Sequence, residues 1–105
     1  MFAINGRIEC DPAHHDAAIA AMTTAAAATT QEAGCQAYRF SADLSEKGVF
    51  YIFELWESDD ALKSHFKAPH MAAFQAALKE CGPKRSSEPL MRYDISEAAP
   101  LGRPK

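Results

Sequence analysis

The first stretch of the chain alternates between apolar and polar side chains, which is typical of a β-strand with one buried face. Phe2, Ile4 and Ile8 fall on one face of this stretch, and polar residues fall mainly on the other. Four segments are predicted as strands: residues 2–9, 35–42, 49–57 and 87–95. The last prediction is weaker because Pro89 cannot donate a ladder hydrogen bond, so we expect an edge position or a bulge there.

An alanine-rich helix is predicted between the first two strands. Asp11 suits the N-cap and Pro12 suits the first helical position, and the pattern continues to about residue 32. Gly34 then ends the helix. Residues three or four apart on one face are expected to point at the core. They are Ile19, Met22, Ala26 and Thr29.

Two shorter helices are predicted after the third strand. Ser58, followed by two aspartates, suits the cap of a helix over residues 61–67. Pro69 interrupts this helix, and the helical pattern resumes over residues 70–80. The resulting order is β-α-β-β-α-β. It predicts an α+β, ferredoxin-like domain with an antiparallel sheet and helices on one face.

The third strand is apolar on both faces, apart from one carboxylate. One face carries Val49, Tyr51, Phe53 and Leu55, and the other carries Phe50, Ile52, Glu54 and Trp56. A sheet covered by helices on one side only should be polar on the other. Too few elements remain in the chain to cover the second face. We therefore expect a homodimer in which a second copy covers Tyr51, Phe53 and Leu55.

Length and charge limit the classes of protein that fit. The chain has 105 residues, which suits one domain over residues 1–95 with a tail over 96–105. Its 11 basic and 14 acidic side chains give a net charge of −3, which does not favour nucleic acid or a membrane surface as partner. The N-terminal residues do not have the pattern of a signal peptide, so we expect a cytoplasmic protein.

The residues most often used to hold cofactors do not form a recognisable motif. Cys10, Cys35 and Cys81 are odd in number and far apart, which argues against a disulfide framework or a thiolate zinc site. Glycine-rich phosphate loops are absent as well. His65 and His70 are five residues apart across a proline, a spacing that does not put them on one helical face. We therefore expect no cofactor and no metal site.

Candidate chemistry is concentrated around the end of the third strand. Glu54 and Trp56 share a strand face, and His65 follows one short helix later. A carboxyl group on an apolar face has a raised pKa when it is buried, which makes Glu54 a candidate proton acceptor or donor. His65 is a candidate for acid–base work because histidine is the side chain best suited to exchange protons at physiological pH. Purely structural roles, a hydrogen-bonded Glu54 and a hinge-locking His65, are the alternative.

These residues belong to a longer run that resembles the antibiotic biosynthesis monooxygenase family. Residues 50–70 combine an aromatic strand ending in Glu-x-Trp, a Ser/Asp-rich cap, an Ala-Leu pair, then a His and a Pro-His. Residues 32–38 match the family's usual approach to the second strand. The resemblance covers about residues 2–95. It implies a dimeric α+β barrel with a cavity between sheet and helices in each subunit.

The resemblance also implies a reaction. Characterised members of the family include cofactor-independent monooxygenases that act on quinols and anthrones, so we expect a small aromatic substrate that is oxidised by O2. His65 or Glu54 is the expected base. The residues expected to contact the substrate are Trp56, Phe50, Phe74, Tyr38 and His70.

Three other readings stay open. A haem-degrading branch of the family uses an asparagine on the first strand, where this chain has Asn5. A phosphosugar-like isomerase would need a cationic phosphate site, for which Arg39, Lys63, Lys67 and Arg85 are available but scattered. A non-catalytic ligand-binding or stress-response module is the third.

Overall fold

An antiparallel five-stranded sheet carries all the helices on one face. The computed structural model describes residues 1–86 and 88–102. The strands are β1 (Phe2–Cys10), β2 (Cys35–Ala42), β3 (Val49–Trp56), β4 (Pro83–Lys84) and β5 (Met91–Asp94). The helices are α1 (His15–Thr29), which follows a short 3-10 turn, then α2 (Asp59–Lys67) and α3 (Pro69–Lys79). This α+β, ferredoxin-like architecture confirms the predicted fold class.

The strand order is β2-β3-β1-β4, with β5 also paired to β1. β4 lies at the Cys10 end of β1 and β5 at the Phe2 end. The prediction of one continuous strand over residues 87–95 is therefore wrong in extent, and its first residue, Ser87, lies outside the described part of the chain. Just before β5 the chain approaches Gly6 so closely that an added Cβ there would clash with Leu90. The predicted edge position is confirmed.

Helix α1 is shorter than predicted and turned on its axis. It ends at Thr29 rather than near residue 32, and its buried residues are Ala18, Met22, Ala25 and Thr29. The expected inward position of Ile19 is wrong, because this side chain is 40% exposed. The small side chains of Ala18 and Ala25 let the helix lie close to the sheet, which leaves the bulkier Ile19 beside the edge of β2.

The core consists of two neighbouring clusters on the inner face of the sheet. The first comprises Cys10, Ala18, Met22, Ala25, Phe50, Phe74 and Cys81, and the second comprises Phe2, Tyr38, Ile52 and Trp56. Ile8 and Phe40 pack against both. The second cluster packs against Ala61 and Leu62 of α2 and contains two of the residues singled out from the sequence, Tyr38 and Trp56.

The two faces of β3 follow the predicted parity. Phe50, Ile52, Glu54 and Trp56 are all buried under the helices. On the other face Phe53 is 37% exposed, and Tyr51 and Leu55 are half-buried. Within the described residues, no helix is long and apolar enough to cross a membrane.

Candidate active site

Glu54 and Trp56 form a buried pair at the end of β3. In the sheet, Trp56 is paired with Phe2 of β1, while Glu54 lies between Ile4 of β1 and Tyr38 of β2. The indole Nε1 of Trp56 donates a hydrogen bond of 2.8 Å to Oε1 of Glu54. Burial raises the pKa of the Glu54 carboxyl, whereas the Trp56 hydrogen bond and the charge of His65 act in the opposite direction. Burial is the largest of these effects, so the net shift of the pKa is upward.

His65 extends from α2 into the same region and is only 1% exposed. Its ring lies 5.0 Å from the Trp56 ring and 5.3 Å from the Tyr38 ring, measured between centroids. Its Nδ1 lies 2.7 Å from Oε2 of Glu32. In a neutral His65 ring, Nδ1 then carries the proton and donates it to Glu32, because a carboxylate can only accept hydrogen bonds, and Nε2 keeps its lone pair. This arrangement fixes the tautomer and orientation that a general base needs.

His70 reaches the same carboxylate oxygen from the first turn of α3. Its Nε2 lies 2.7 Å from Oε2 of Glu32, and its ring centroid lies 6.2 Å from that of His65. The two histidines occupy different helices, in keeping with their five-residue spacing. The break at Pro69 nevertheless turns both rings toward one point, a convergence that their spacing along the chain did not indicate.

Glu32 was not predicted as a site residue, because the helical pattern placed it in the last turn of a helix. The residue instead follows the end of α1, in a tight turn that Gly34 completes with a φ of +82°. A Cβ at Gly34 would lie 2.6 Å from the Cβ of Ala61, so only glycine lets α2 pack against this turn. That close approach brings Glu32 to His65. The only sign of its role in the sequence was its position at the start of residues 32–38, the segment that resembles the family and leads into β2.

The other predicted site residues divide between the two clusters. Tyr38 is 3% exposed and lies beside His65, and burial raises the pKa of its phenol, with the charges of Glu54 and Glu32 acting in the same direction. Phe50 and Phe74 pack in the first cluster, where Phe74 contacts Phe40 at 5.5 Å between centroids. The structure thus brings Tyr38 together with His65, Glu54 and Trp56, while the two phenylalanines line the neighbouring cluster.

Two cavities flank these clusters. One of about 510 Å³ lies between α1 and β2 and is lined in part by Tyr38, Phe40, Phe50 and Met22. Another of about 700 Å³ lies between α1 and α3 and is lined in part by His70 and Phe74. Tyr38 lies between the first cavity and His65, since its side chain contacts both. A molecule in the first cavity therefore meets Tyr38 before it meets His65.

The sequence of this domain matches a known family. The model of the family described as "Antibiotic biosynthesis monooxygenase" matches residues 1–77, which include β1 to β3, α2 and most of α3. The chain belongs to the antibiotic biosynthesis monooxygenase family. All three residues of the Glu32, His65 and His70 cluster lie inside the matched range. Membership supports a general function of the antibiotic biosynthesis monooxygenase type.

Solved structures of family proteins have the same fold. A Deinococcus radiodurans protein assigned by name to the antibiotic biosynthesis monooxygenases superposes with a TM-score of 0.83 at 28% identity, over 98% of this chain and 100% of its own. A Caulobacter crescentus protein with the same assignment gives 0.80 at 25% identity, over 91% and 90% of the two chains.

A curated relative matches over a shorter stretch of sequence. An uncharacterized protein of Synechocystis is 32% identical over 71 residues, which is 68% of this chain. The chain spans about half the length of this relative, since the match covers 48% of it. Family membership thus supports a fold and a general type of function, whereas the substrate and the reaction depend on the residues of the site.

Proposed function

We propose that the protein is a cofactor-independent monooxygenase that oxidises a phenolic or quinol-like aromatic substrate with O2. The main support for this proposal is the environment of the buried His65. Its Nδ1 is hydrogen-bonded to Glu32, and its ring packs against Trp56 and Tyr38. A base of fixed tautomer in an apolar, aromatic environment is what deprotonation of a phenol requires.

The proposed reaction needs no electron source other than the substrate. His65 removes the phenolic proton at Nε2, and the electron-rich ring then reduces O2 and forms a carbon–oxygen bond. Loss of the proton on that carbon breaks the O–O bond. One oxygen atom stays in the product as a carbonyl, and the other leaves as water. A phenol with a hydrogen at the reacting carbon thus gives a quinone and one water, and the atoms and electrons balance.

The cavity between α1 and β2 is the proposed substrate site. Its walls are largely apolar and aromatic, as a flat ring requires, and Tyr38 connects it to His65. Because His65 is 1% exposed and Trp56 is 0% exposed, the Tyr38 side chain must move for a substrate to reach Nε2. Glu54 is the second candidate for the base, since burial raises its pKa.

We also propose that the protein acts as a homodimer, closed into a barrel through the outer face of the sheet. Three large side chains on this face are substantially exposed: Phe53 at 37%, Met91 at 47% and Tyr93 at 50%. They are neighbours across β3, β1 and β5, since Asn5 pairs with both Phe53 and Met91. Large apolar side chains grouped on one exposed face of the sheet favour a second copy of the chain as partner.

The other readings find less support. Arg39 lies on the outer face of the sheet beside Phe53, whereas Lys63 and Lys67 are exposed on α2 on the opposite side. Arg39 therefore does not converge with Lys63 and Lys67 on a phosphate. Asn5 lies on the outer face too, so it does not share a pocket with His65, as the haem-degrading reading would require.

The experiment measures O2 uptake by dialysed protein, without added flavin or haem, on a panel of phenols, hydroquinones and anthrones. His65→Gln keeps a similar shape and is expected to lower kcat by about 10²–10⁴-fold, which is the usual contribution of a general base. His14→Gln, at an exposed histidine, is the matched control and should leave the rate unchanged. Thermal melting of each variant corrects the rates for the folded fraction.

Two outcomes would contradict the proposal. A well-folded His65→Gln protein with the wild-type rate would exclude His65 as the base and transfer the role to Glu54. A wild-type protein that consumes no O2 with any substrate would refute the oxidation itself. A thermal shift with a phosphosugar but not with a quinol would then favour the isomerase.

A further inference from the structure

Three side chains that can each bind a metal ion meet beneath the start of α3. The ligating atoms are Oε2 of Glu32, Nδ1 of His65 and Nε2 of His70, and all lie within 4.8 Å of one another. They come from three separate elements: the turn after α1, then α2 and α3. We propose that Glu32, His65 and His70 form a binding site for one divalent first-row transition metal ion, with Zn2+ as the test case.

The types of ligand fit this class of ion. Imidazole nitrogen and carboxylate oxygen together suit Zn2+ and its neighbours in the first transition row. Two histidines and one carboxylate supply three ligands, and water or another small ligand completes the coordination. Ca2+ and Mg2+ are disfavoured because they require mainly oxygen ligands.

The distances are close to those that an ion requires. Zinc binds nitrogen and oxygen at about 2.0–2.2 Å, so the ligand atoms of a tetrahedral site lie roughly 3.4 Å apart. Here each histidine nitrogen lies 2.7 Å from the Glu32 oxygen. An ion among them would need the nitrogens to withdraw from the oxygen by roughly 0.7 Å, which small side-chain rotations can provide. In each ring the proton would move to the other ring nitrogen, so that the nitrogen facing Glu32 can bind the ion through its lone pair.

The surroundings provide both a route for the ion and support for its ligands. The side chains of His70 and Glu32 are 27% and 15% exposed, so an ion can enter from their side, whereas His65 is 1% exposed and anchors the inner side. The ring of His65 is held in place by the Trp56 ring, whose centroid lies 5.0 Å away, and by the Tyr38 ring at 5.3 Å.

Metal binding would also affect the proposed chemistry. An ion on Nδ1 leaves the ring proton of His65 on Nε2, where it blocks the lone pair that acts as the base. Zn2+ is therefore expected to inhibit O2 uptake. This consequence rests on the proposed function, whereas binding of the ion does not.

The test is calorimetric titration of chelator-treated, dialysed full-length protein with Zn2+. One ion per chain is expected to bind to the wild type. Glu32→Gln and His70→Gln should each weaken binding by at least about 100-fold, because loss of a direct ligand costs no less than loss of an outer-shell partner. His14→Gln removes an exposed histidine outside the cluster and should bind as the wild type does. Titration with Co2+ should give a visible absorption band that is lost in the same two variants.

Circular dichroism of each variant checks that the fold is intact. The inference is overturned if the wild type binds no Zn2+, if Glu32→Gln and His70→Gln bind as tightly as the wild type, or if His14→Gln weakens binding equally. Stoichiometric binding in a protein without O2 uptake would refute only the proposed function. Absence of binding in an active enzyme would refute only the metal site.

Discussion

The hydrogen bond between Trp56 and Glu54 gives a quantitative prediction about the candidate site. Trp56 is fully buried, and its Nε1 is 2.8 Å from a carboxylate that is itself 6% exposed. Trp56→Phe removes the donor and leaves the carboxylate without this partner. A hydrogen bond to a charged group contributes about 1.5–3 kcal/mol, and the smaller ring adds roughly 1 kcal/mol of lost packing. The free energy of unfolding should therefore fall by about 2.5–4 kcal/mol.

A double-mutant cycle separates the two contributions. Glu54→Leu removes the acceptor together with the buried charge, and Trp56→Phe in that background should cost only the packing. The coupling energy is therefore expected to be about 1.5–3 kcal/mol. Urea unfolding followed by far-UV circular dichroism at one fixed protein concentration provides the values, because Trp56 is the sole tryptophan and fluorescence would fail in its variants. Additive effects, with a coupling below about 0.5 kcal/mol, would refute the reasoning.

The Trp56–Glu54 pair also predicts the direction in which stability changes with pH. Because burial raises the folded-state pKa of Glu54, its protonated form favours folding. The stability from this group is complete below its unfolded-state pKa and is lost as pH rises through its folded-state pKa. Relative to Glu54→Leu, the wild type should therefore lose stability as pH rises across this window. If the difference in the free energy of unfolding between the two proteins did not change with pH, the pKa of Glu54 would be the same in the folded and unfolded states.

The remaining predictions concern the outer face of the sheet and the turn before β3. Phe53→Arg should shift the protein from dimer to monomer in sedimentation velocity, whereas a wild-type monomer at micromolar concentration would remove the dimer proposal. Asp43 accepts hydrogen bonds from Tyr51 and from the loop backbone, which lower its pKa to about 2. The stabilisation of the fold by the Asp43 carboxylate is therefore present above its unfolded-state pKa and is lost as pH falls through about 2. Between roughly pH 4 and pH 2, Asp43→Asn should lose stability less steeply than the wild type in urea titrations, and equal slopes would contradict this.

Several features of the protein follow from sequence alone, for local physical reasons. The alternation in β1, the apolar run of β3, the Ser58 cap and the interruption at Pro69 indicate these elements and their order. The parity of β3 was predictable too, because successive strand residues point to opposite faces and the buried Glu54 and Trp56 share one of them.

Other features depend on contacts between segments that are distant in the chain. The rotation of α1 could not be predicted, because alanines and Ile19 compete for the inner face and only the distance to the sheet decides between them. The last strand covers only Met91–Asp94, and the close approach of Leu90 to Gly6 just before it is a contact between residues far apart in sequence.

The candidate site shows the same division most clearly. The sequence indicated His65, Glu54 and Trp56, because an acid and an indole on one strand face stand out in an apolar run. It did not indicate that Glu32 is the common partner of His65 and His70, residues 33 and 38 positions away. That meeting depends on the close packing of α2 against the turn at Gly34 and on the change of helix direction at Pro69. Both are properties of the tertiary structure, because spacing along one helix says nothing about where two helices converge.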